Sequence, residues 1–370
     1  MYYQEVIQQI VDWMLQIMAG LLIVFTLVLV ALHFVINATQ ARMQRIKRQV
    51  LYLINANAKI EYLRGEIYNV ANTPEKHASL RGIHGIRSQR GVQVLEMVSR
   101  ELNSQQVNAL RVAVEADWYS AYLRKKLKSG ALDTVLLITK LIGQLQIPGY
   151  TSDIEKNFMR WPKDAMVQEI GLLTLFMLGQ REQVIRLLSD PQFRILLSFR
   201  TLHELFLHYH GDCAEFYKML FPKAQDQYVR RACIRGIKDN NCEELCEMIL
   251  PELSSPHMNV RLEAMRTLGR LGYTPAAGTI RELTRHEAWE VRCAAVDALA
   301  SLDCEGCYDT ILQCLYDRVW WVRFHAAEAL AALPCRDTLL SDVRTSGDRY
   351  AQEMLQYVIE RDEILAGGVA

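Results

Sequence analysis

Between Asp12 and Arg42 no side chain carries a charge, and Ile17 to Ile36 forms a run of twenty predominantly apolar residues. As a helix that run is about 30 Å long, enough to cross the hydrocarbon core of a bilayer. Leu21–Ala31 is apolar around its whole circumference, the pattern of a lipid-facing helix rather than of one face of a soluble core. After it the pattern becomes heptad-like. Met43, Ile46, Val50, Leu53, Ile60 and Ile67 fall on a/d spacing, with Asn57 and Arg64 at two of the same seam positions. Two readings fit: a coiled-coil stalk whose polar seam residues fix register, or a helix packing on its own downstream domain.

Residues 87–146 predict three further helices. One has an N-cap region at Asn103–Ser104 and a glycine stop at Gly130. Ile147-Pro148-Gly149 and Trp161-Pro162 then interrupt the helical pattern.

Beyond them the pattern repeats. Valine-arginine pairs stand at 229–230, 260–261, 291–292 and 322–323, an interval of 31 residues each time. Ile237, Leu268, Leu299 and Leu330 share a second phase, and Leu271, Leu302 and Leu333 a third. One step back reaches Ser198 in a degenerate unit, and a second reaches Val167, so six registers run from Val167 to about Asp348. Each unit predicts two helices. In the unit starting at Val291 these are Val291–Leu302 and Tyr308–Tyr316, joined by a turn at Asp303–Gly306. Neither helix can bury its apolar stripe alone, so successive units must stack into an all-α solenoid, with an amphipathic helix over 348–365 closing its end.

The segments VRLEAMRTLGRLG (260–272), VRCAAVDALASLD (291–303) and VRFHAAEALAALP (322–334) resemble HEAT repeats, in the short bacterial variety also seen in phycobilin-lyase proteins. The match is strong over 229–345 and in weak register over 167–228. The resemblance implies that Arg230, Arg261, Arg292 and Arg323 lie on the first helix of each unit and bond the adjacent turn. It also implies protein binding rather than catalysis. The lyase branch is soluble, and a membrane span departs from it, so that activity is not carried over.

Composition sharpens this. With 51% hydrophobic and 23% charged residues, the chain is neither disordered nor collagenous. The zero net charge hides a segregation: residues 1–37 hold only Glu5 and Asp12, residues 38–130 hold 16 bases against seven acids, and residues 131–370 hold 26 against 33. Arg42, Arg45, Lys47 and Arg48 follow the apolar run directly. By the positive-inside rule they orient a single span with the N-terminus outside, and each contributes about 1 kcal/mol of attraction to an anionic leaflet. Tyr2, Tyr3 and Trp13 suit the outer interface. A cleaved signal peptide would want a basic start and a shorter core. His33, near the inner end of the span, is read as solvated among headgroups rather than as a proton relay. All nine cysteines lie between Cys213 and Cys335, in the part expected to be cytosolic, where thiols stay reduced.

The expected layout is a short outer segment (1–12), a transmembrane helix (13–37), a basic juxtamembrane helix (38–80), an irregular helical start to the solenoid (81–166), HEAT-like repeats (167–345) and a capping helix with tail (346–370). It leaves room for self-association through the 43–70 helix.

Candidate chemistry is sparse. In HELFLHYH (203–210) the histidines at 203 and 208 are five apart, about 140° off one helical face, whereas a zinc-protease helix needs i and i+4. Cys304-x-x-Cys307 supplies two of the four thiolates of a structural zinc site and has no second pair. Cys242, Cys304 and Cys335 share a repeat phase where Tyr273 stands in the fourth unit, which favours packing over ligation. The basic, glycine-rich RGIHGIRSQRG (81–91) lacks the ending of a phosphate loop and suits a lipid-facing or partner-facing loop. No catalytic set, metal or cofactor is expected, and an acidic repeat region disfavours nucleic acid. Trp289 and Trp320 share a phase two residues before successive valine-arginine pairs, with Trp321 following. They are either anchors for a protein partner along the turn edge or indoles folded back over their own helix pairs.

Two function classes follow. The first is a membrane-anchored cytosolic scaffold or adaptor at the inner membrane, serving an envelope glycosyltransferase or export complex. The second is a lyase-like or metal-dependent enzyme using the solenoid's concave face.

Overall fold

The computed structural model describes residues 2–66, 80–302, 306–332, 343, 345 and 347–367, and among them there is no strand. The chain divides into two compact units, Met1–Arg160 and Trp161–Ala370.

The first unit begins with α1 (Tyr2–Glu66), a single unbroken helix that carries both the apolar run and the heptad-like segment. Its apolar part is exposed wherever its side chains are described, as at Leu22, Phe25, Leu29 and Phe34, and it is long and apolar enough to cross a membrane. Further along, Ile46, Val50, Leu53 and Ile54 are buried. They pack on α2 (Gln89–Ser99) and α3 (Ser104–Glu115) of the same unit. Of the two readings of the a/d seam, its described part therefore packs on its own domain, and these side chains are not available to a second copy. The seam residues from Asn57 to Ile67 lie outside the described side chains.

The sequence predicts three helices over 87–146, and four are present: α2, α3, α4 (Asp117–Ser129) and α5 (Leu132–Gln144). The extra break falls at Ala116, which is extended at φ −51°, ψ 131°. It re-aims the chain so that Leu110 and Val114 on one helix and Tyr119, Leu123 and Leu127 on the next all reach the core. Asn103 caps α3 with the expected geometry, accepting from the Gln106 amide while the Gln106 side chain accepts from Asn103. Helix α6 (Thr151–Arg160) ends the unit, and Arg124 on α4 holds its Asp153 at 2.8 Å.

The second unit runs through α7 (Ala165–Met177), α8 (Arg181–Ser189), α9 (Phe199–Leu207), α10 (Cys213–Leu220) and α11 (Gln227–Asp239). It continues with the short α12 (Cys246–Ile249), α13 (Met258–Arg270), α14 (Ala277–Leu283), α15 (Trp289–Leu302), α16 (Cys307–Cys314), α17 (Trp320–Ala331) and α18 (Arg349–Gly367). The first helices of the repeats pack in series, α9 on α11, then α13, α15, α17 and finally α18. Val229, Val260, Val291 and Val322 are fully buried, as are Ile237, Leu268, Leu299 and Leu330. The 31-residue phases are thus the shared core that neighbouring units build together. The helices of the unit starting at Val291 are Trp289–Leu302 and Cys307–Cys314, within two residues of their expected starts and ends. Most of the predicted Asp303–Gly306 turn lies outside the described residues. At Ser198 the register slips: this residue is the N-cap of α9, accepting from the Thr201 amide, rather than a position inside the helix.

Helices α13 and α15 approach closely at Gly269. A Cβ there would stand 2.8 Å from the Ala298 Cα, so this contact requires glycine on one side and a small residue on the other.

Candidate functional site: the turn edge of the repeats and the membrane-proximal bases

The four repeat arginines lie in the first turns of α11, α13, α15 and α17, and each reaches back six residues to the turn before its helix. Arg230 donates to the Ala224 carbonyl at 2.8 Å, Arg261 to Ser255 at 2.9 Å, Arg292 to His286 at 2.9 Å and Arg323 to Asp317 at 2.8 Å. Three of them also reach forward to the next unit. Arg230 pairs with Glu252, Arg261 Nη1 lies 2.7 Å from His286 Nε2, and Arg292 forks onto Asp317. His286 and Asp317 stand 25 residues after their arginines, the repeat length less six, so each is the turn residue that the next arginine holds from its own side. The result is a ladder of side chains pinning successive turns along one edge. Arg292, the buried one of the four, is satisfied on several sides at once through its fork, which a lysine could not do.

That edge carries the tryptophans. The sequence places them in the turns; Trp289 and Trp320 are in fact the first residues of α15 and α17. They are 38% and 44% exposed, and Trp321 is 50% exposed, while the valines two positions after the first pair are fully buried. Trp320 stacks on Phe324 one turn on, with centroids 5.1 Å apart and planes 9° apart, and meets Trp321 edge-on at 4.7 Å. Arg361 lies over the Phe324 ring at 5.4 Å. The indole of Trp320 is therefore held by its own helix while half of it still faces outward. Sequence reasoning missed Met258, the first residue of α13 and 37% exposed in the same phase. Its position 31 residues before Trp289 was the available signal.

The membrane-proximal bases separate. Lys47 pairs with Glu101 at 2.8 Å. Arg42 and Arg45 instead line a cleft together with His84 of the glycine-rich loop and Arg90 in the first turn of α2. Arg48 is exposed outside it.

Among the described residues no three His, Cys, Asp or Glu side chains are grouped to hold a metal ion. His203 instead stacks on Phe199 and bonds Asp239 at 2.9 Å. Cys242 is buried; Cys304 and Cys335 lie outside the described residues. Burial pushes the Cys242, Cys246 and Cys314 thiols up to about 11, Cys293 up to about 12 and Cys233 higher still, so none is poised as a thiolate. Cys307 is disulfide-bonded, a departure from the expected all-reduced set. Glu263, fully buried on α13, is held by Arg231, Arg235 and Lys238 of α11, an ion cluster that joins two repeats rather than an acid awaiting substrate.

Residues 276–343 match the family of HEAT repeats. No curated protein matches the sequence. A solved engineered protein is similar at 15% identity over 73% of this chain and 78% of its own, with a TM-score of 0.33, which is too low to carry an argument. The matched span covers α14, α15, α16 and α17, the stretch that carries the ladder's last arginines and the tryptophans. The chain is an all-α protein with HEAT repeats in its second unit and one long apolar helix at its N-terminus.

Proposed function

We propose that this chain is a membrane-anchored scaffold whose HEAT repeats bind a protein client on the turn edge marked by Trp289, Trp320 and Trp321. In this reading the apolar part of α1 is a single span, Arg42, Arg45, Lys47 and Arg48 keep the C-terminal side in the cytosol, and the client is a subunit of an inner-membrane envelope complex, such as a glycosyltransferase or export machine. Arg230, Arg261, Arg292 and Arg323 serve structure, setting the spacing of the turns that present the edge.

One observation carries the reading. Large aromatic rings recur at the repeat period at the starts of the first helices of two successive repeats, half exposed, where the repeat core requires only the buried valine two positions on. Aromatic anchors of this kind dominate the energetics of protein interfaces, and HEAT repeats generally mediate protein interactions.

The test is purification of the full-length chain from its membranes in mild detergent, with Trp289→Ala and Trp320→Ala beside it. A specific client that co-purifies with the wild type and is lost from both variants, while each still melts as a folded protein with a fall well short of that for a lost core aromatic, supports the scaffold. A client retained by both variants refutes the tryptophan edge.

A further inference from the structure

We propose that the first unit contains a binding cleft for the phosphate headgroup of an anionic phospholipid, built between α1 and the loop leading into the first turn of α2. The proposal rests on the membrane-anchored reading above and adds to it a defined ligand site that places the protein on a particular lipid.

The cleft has a volume of about 750 Å³ and is lined on one side by Arg42, Arg45 and Gln49 of α1 and on the other by His84, Ser88 and Arg90. The helical side comes from spacing: positions 42, 45 and 49 lie on one face of an α-helix. The loop side comes from backbone geometry. Gly85 sits at φ +85°, and a Cβ there would stand 3.5 Å from Ile46 Cδ1, so the loop runs close against α1. Ser88 then fixes the exit by donating to the Gly85 carbonyl at 2.6 Å and capping α2 at the Gly91 amide. The core residues beneath, Ile46, Ile83 and Ile86, are buried and hold both walls in place.

Three arginines and a histidine therefore converge, and among the described residues none of the three arginines is paired with a carboxylate. The neighbouring base, Lys47, has its acid, and Arg87 lies 4.5 Å over the Trp118 ring on the far side of the loop. Unpaired guanidinium groups facing one another repel unless an anion lies between them, and their planar donors suit phosphate oxygens.

The position selects the source of that phosphate. Arg42 is six residues beyond Ile36, the last residue of the apolar run, and so about 9 Å farther along the helix axis. With Ile36 at the hydrocarbon boundary, Arg42 and Arg45 stand in and just beyond the headgroup layer, where basic pockets bind anionic lipids.

The experiment uses the full-length chain in a neutral detergent, titrated with short-chain phosphatidylglycerol, short-chain phosphatidylcholine and inorganic phosphate. Binding of phosphatidylglycerol is expected, at least tenfold weaker in Arg90→Gln and in Arg42→Gln and no more than a few-fold weaker in Arg48→Gln, which lies outside the cleft. Equal weakening by Arg48→Gln would show diffuse attraction and overturn the cleft. Binding of inorganic phosphate as tight as that of phosphatidylglycerol would assign a soluble anion and overturn the lipid. Carbonate extraction of cell membranes separates the two levels. A chain released by carbonate refutes the anchor, whereas a chain retained there that shows no arginine-dependent lipid binding refutes the cleft alone.

Discussion

Arg292 holds Asp317 through two parallel bonds, Nε to Oδ2 at 2.8 Å and Nη2 to Oδ1 at 2.9 Å, while its Nη1 donates back to the carbonyls of His286 and Glu287. One side chain thereby ties the turn before its own helix to the turn of the next repeat. Asp317 also accepts from the Val319 amide, which sets the start of α17 and so the placement of Trp320.

Replacement of Arg292 leaves a shielded carboxylate and two turn carbonyls without their donor. Arg292→Ala should cost about 3 kcal/mol of stability, the scale for breaking a buried pair from one side. Arg292→Lys should recover little of it, because an ammonium cannot make the fork. Arg323→Ala should cost less, since among the described residues its hydrogen bonding is confined to the Asp317 carbonyl. Urea unfolding followed by circular dichroism ranks the three.

The Gly269–Ala298 contact gives a second expectation. Gly269→Val drives a branched side chain into the α15 backbone and should destabilise by at least the roughly 1–3 kcal/mol typical of overpacking. Gly278→Ala, where a Cβ meets nothing within 4 Å, is the control and should be neutral or slightly stabilising. Thermal melts of both variants check this.

A pH dependence should arise at His325. Its Nδ1 lies 2.7 Å from the Asp297 carboxylate, which raises its pKa through that bond; burial opposes the rise, Glu328 supports it and Arg266 works against it. A pKa raised on folding stabilises fully below the unfolded value of about 6.5 and is lost as pH rises through the folded value. The melting-temperature gap between wild type and His325→Gln should therefore be largest on the acid side and close as the pH climbs. A gap that widens with pH would contradict the pairing.

The tryptophans allow binding to be separated from stability. Rings half exposed at helix starts should tolerate truncation with a fall in melting temperature well short of that for a core aromatic, whose loss costs about 3–5 kcal/mol. Trp320→Ala should show the larger fall of the two, because it also gives up the stack on Phe324. Comparing it with Phe216→Ala, a fully buried ring, sets the scale.

Much of the second unit was legible because a strict period makes each core position visible four times over: Val229 and its successors are buried wherever they recur. The backward bonds of the arginines followed from the family resemblance, but their forward partners did not, since Glu252, His286 and Asp317 differ in type and only the last two share a spacing, 25 residues against 22 for Glu252. The break at Ala116 carried no proline or glycine to announce it. The slip at Ser198 was hidden because residues 31 apart were assumed to be equivalent where the chain inserts a different turn. In the first unit, the cleft that Arg42 and Arg90 both line joins residues 48 positions apart, across the loop that precedes α2, and only the fold brings them to one site.

The most direct test of a client-binding edge is site-specific photo-crosslinking in native membranes. A benzophenone amino acid replaces Trp321, or replaces Lys140 on α5 as an off-edge control, in the full-length chain. The expected result is one discrete adduct from position 321, found in the membrane fraction, containing another protein and absent from the control. The same adduct pattern from both positions, or adducts only with a second copy of this chain, would contradict the account.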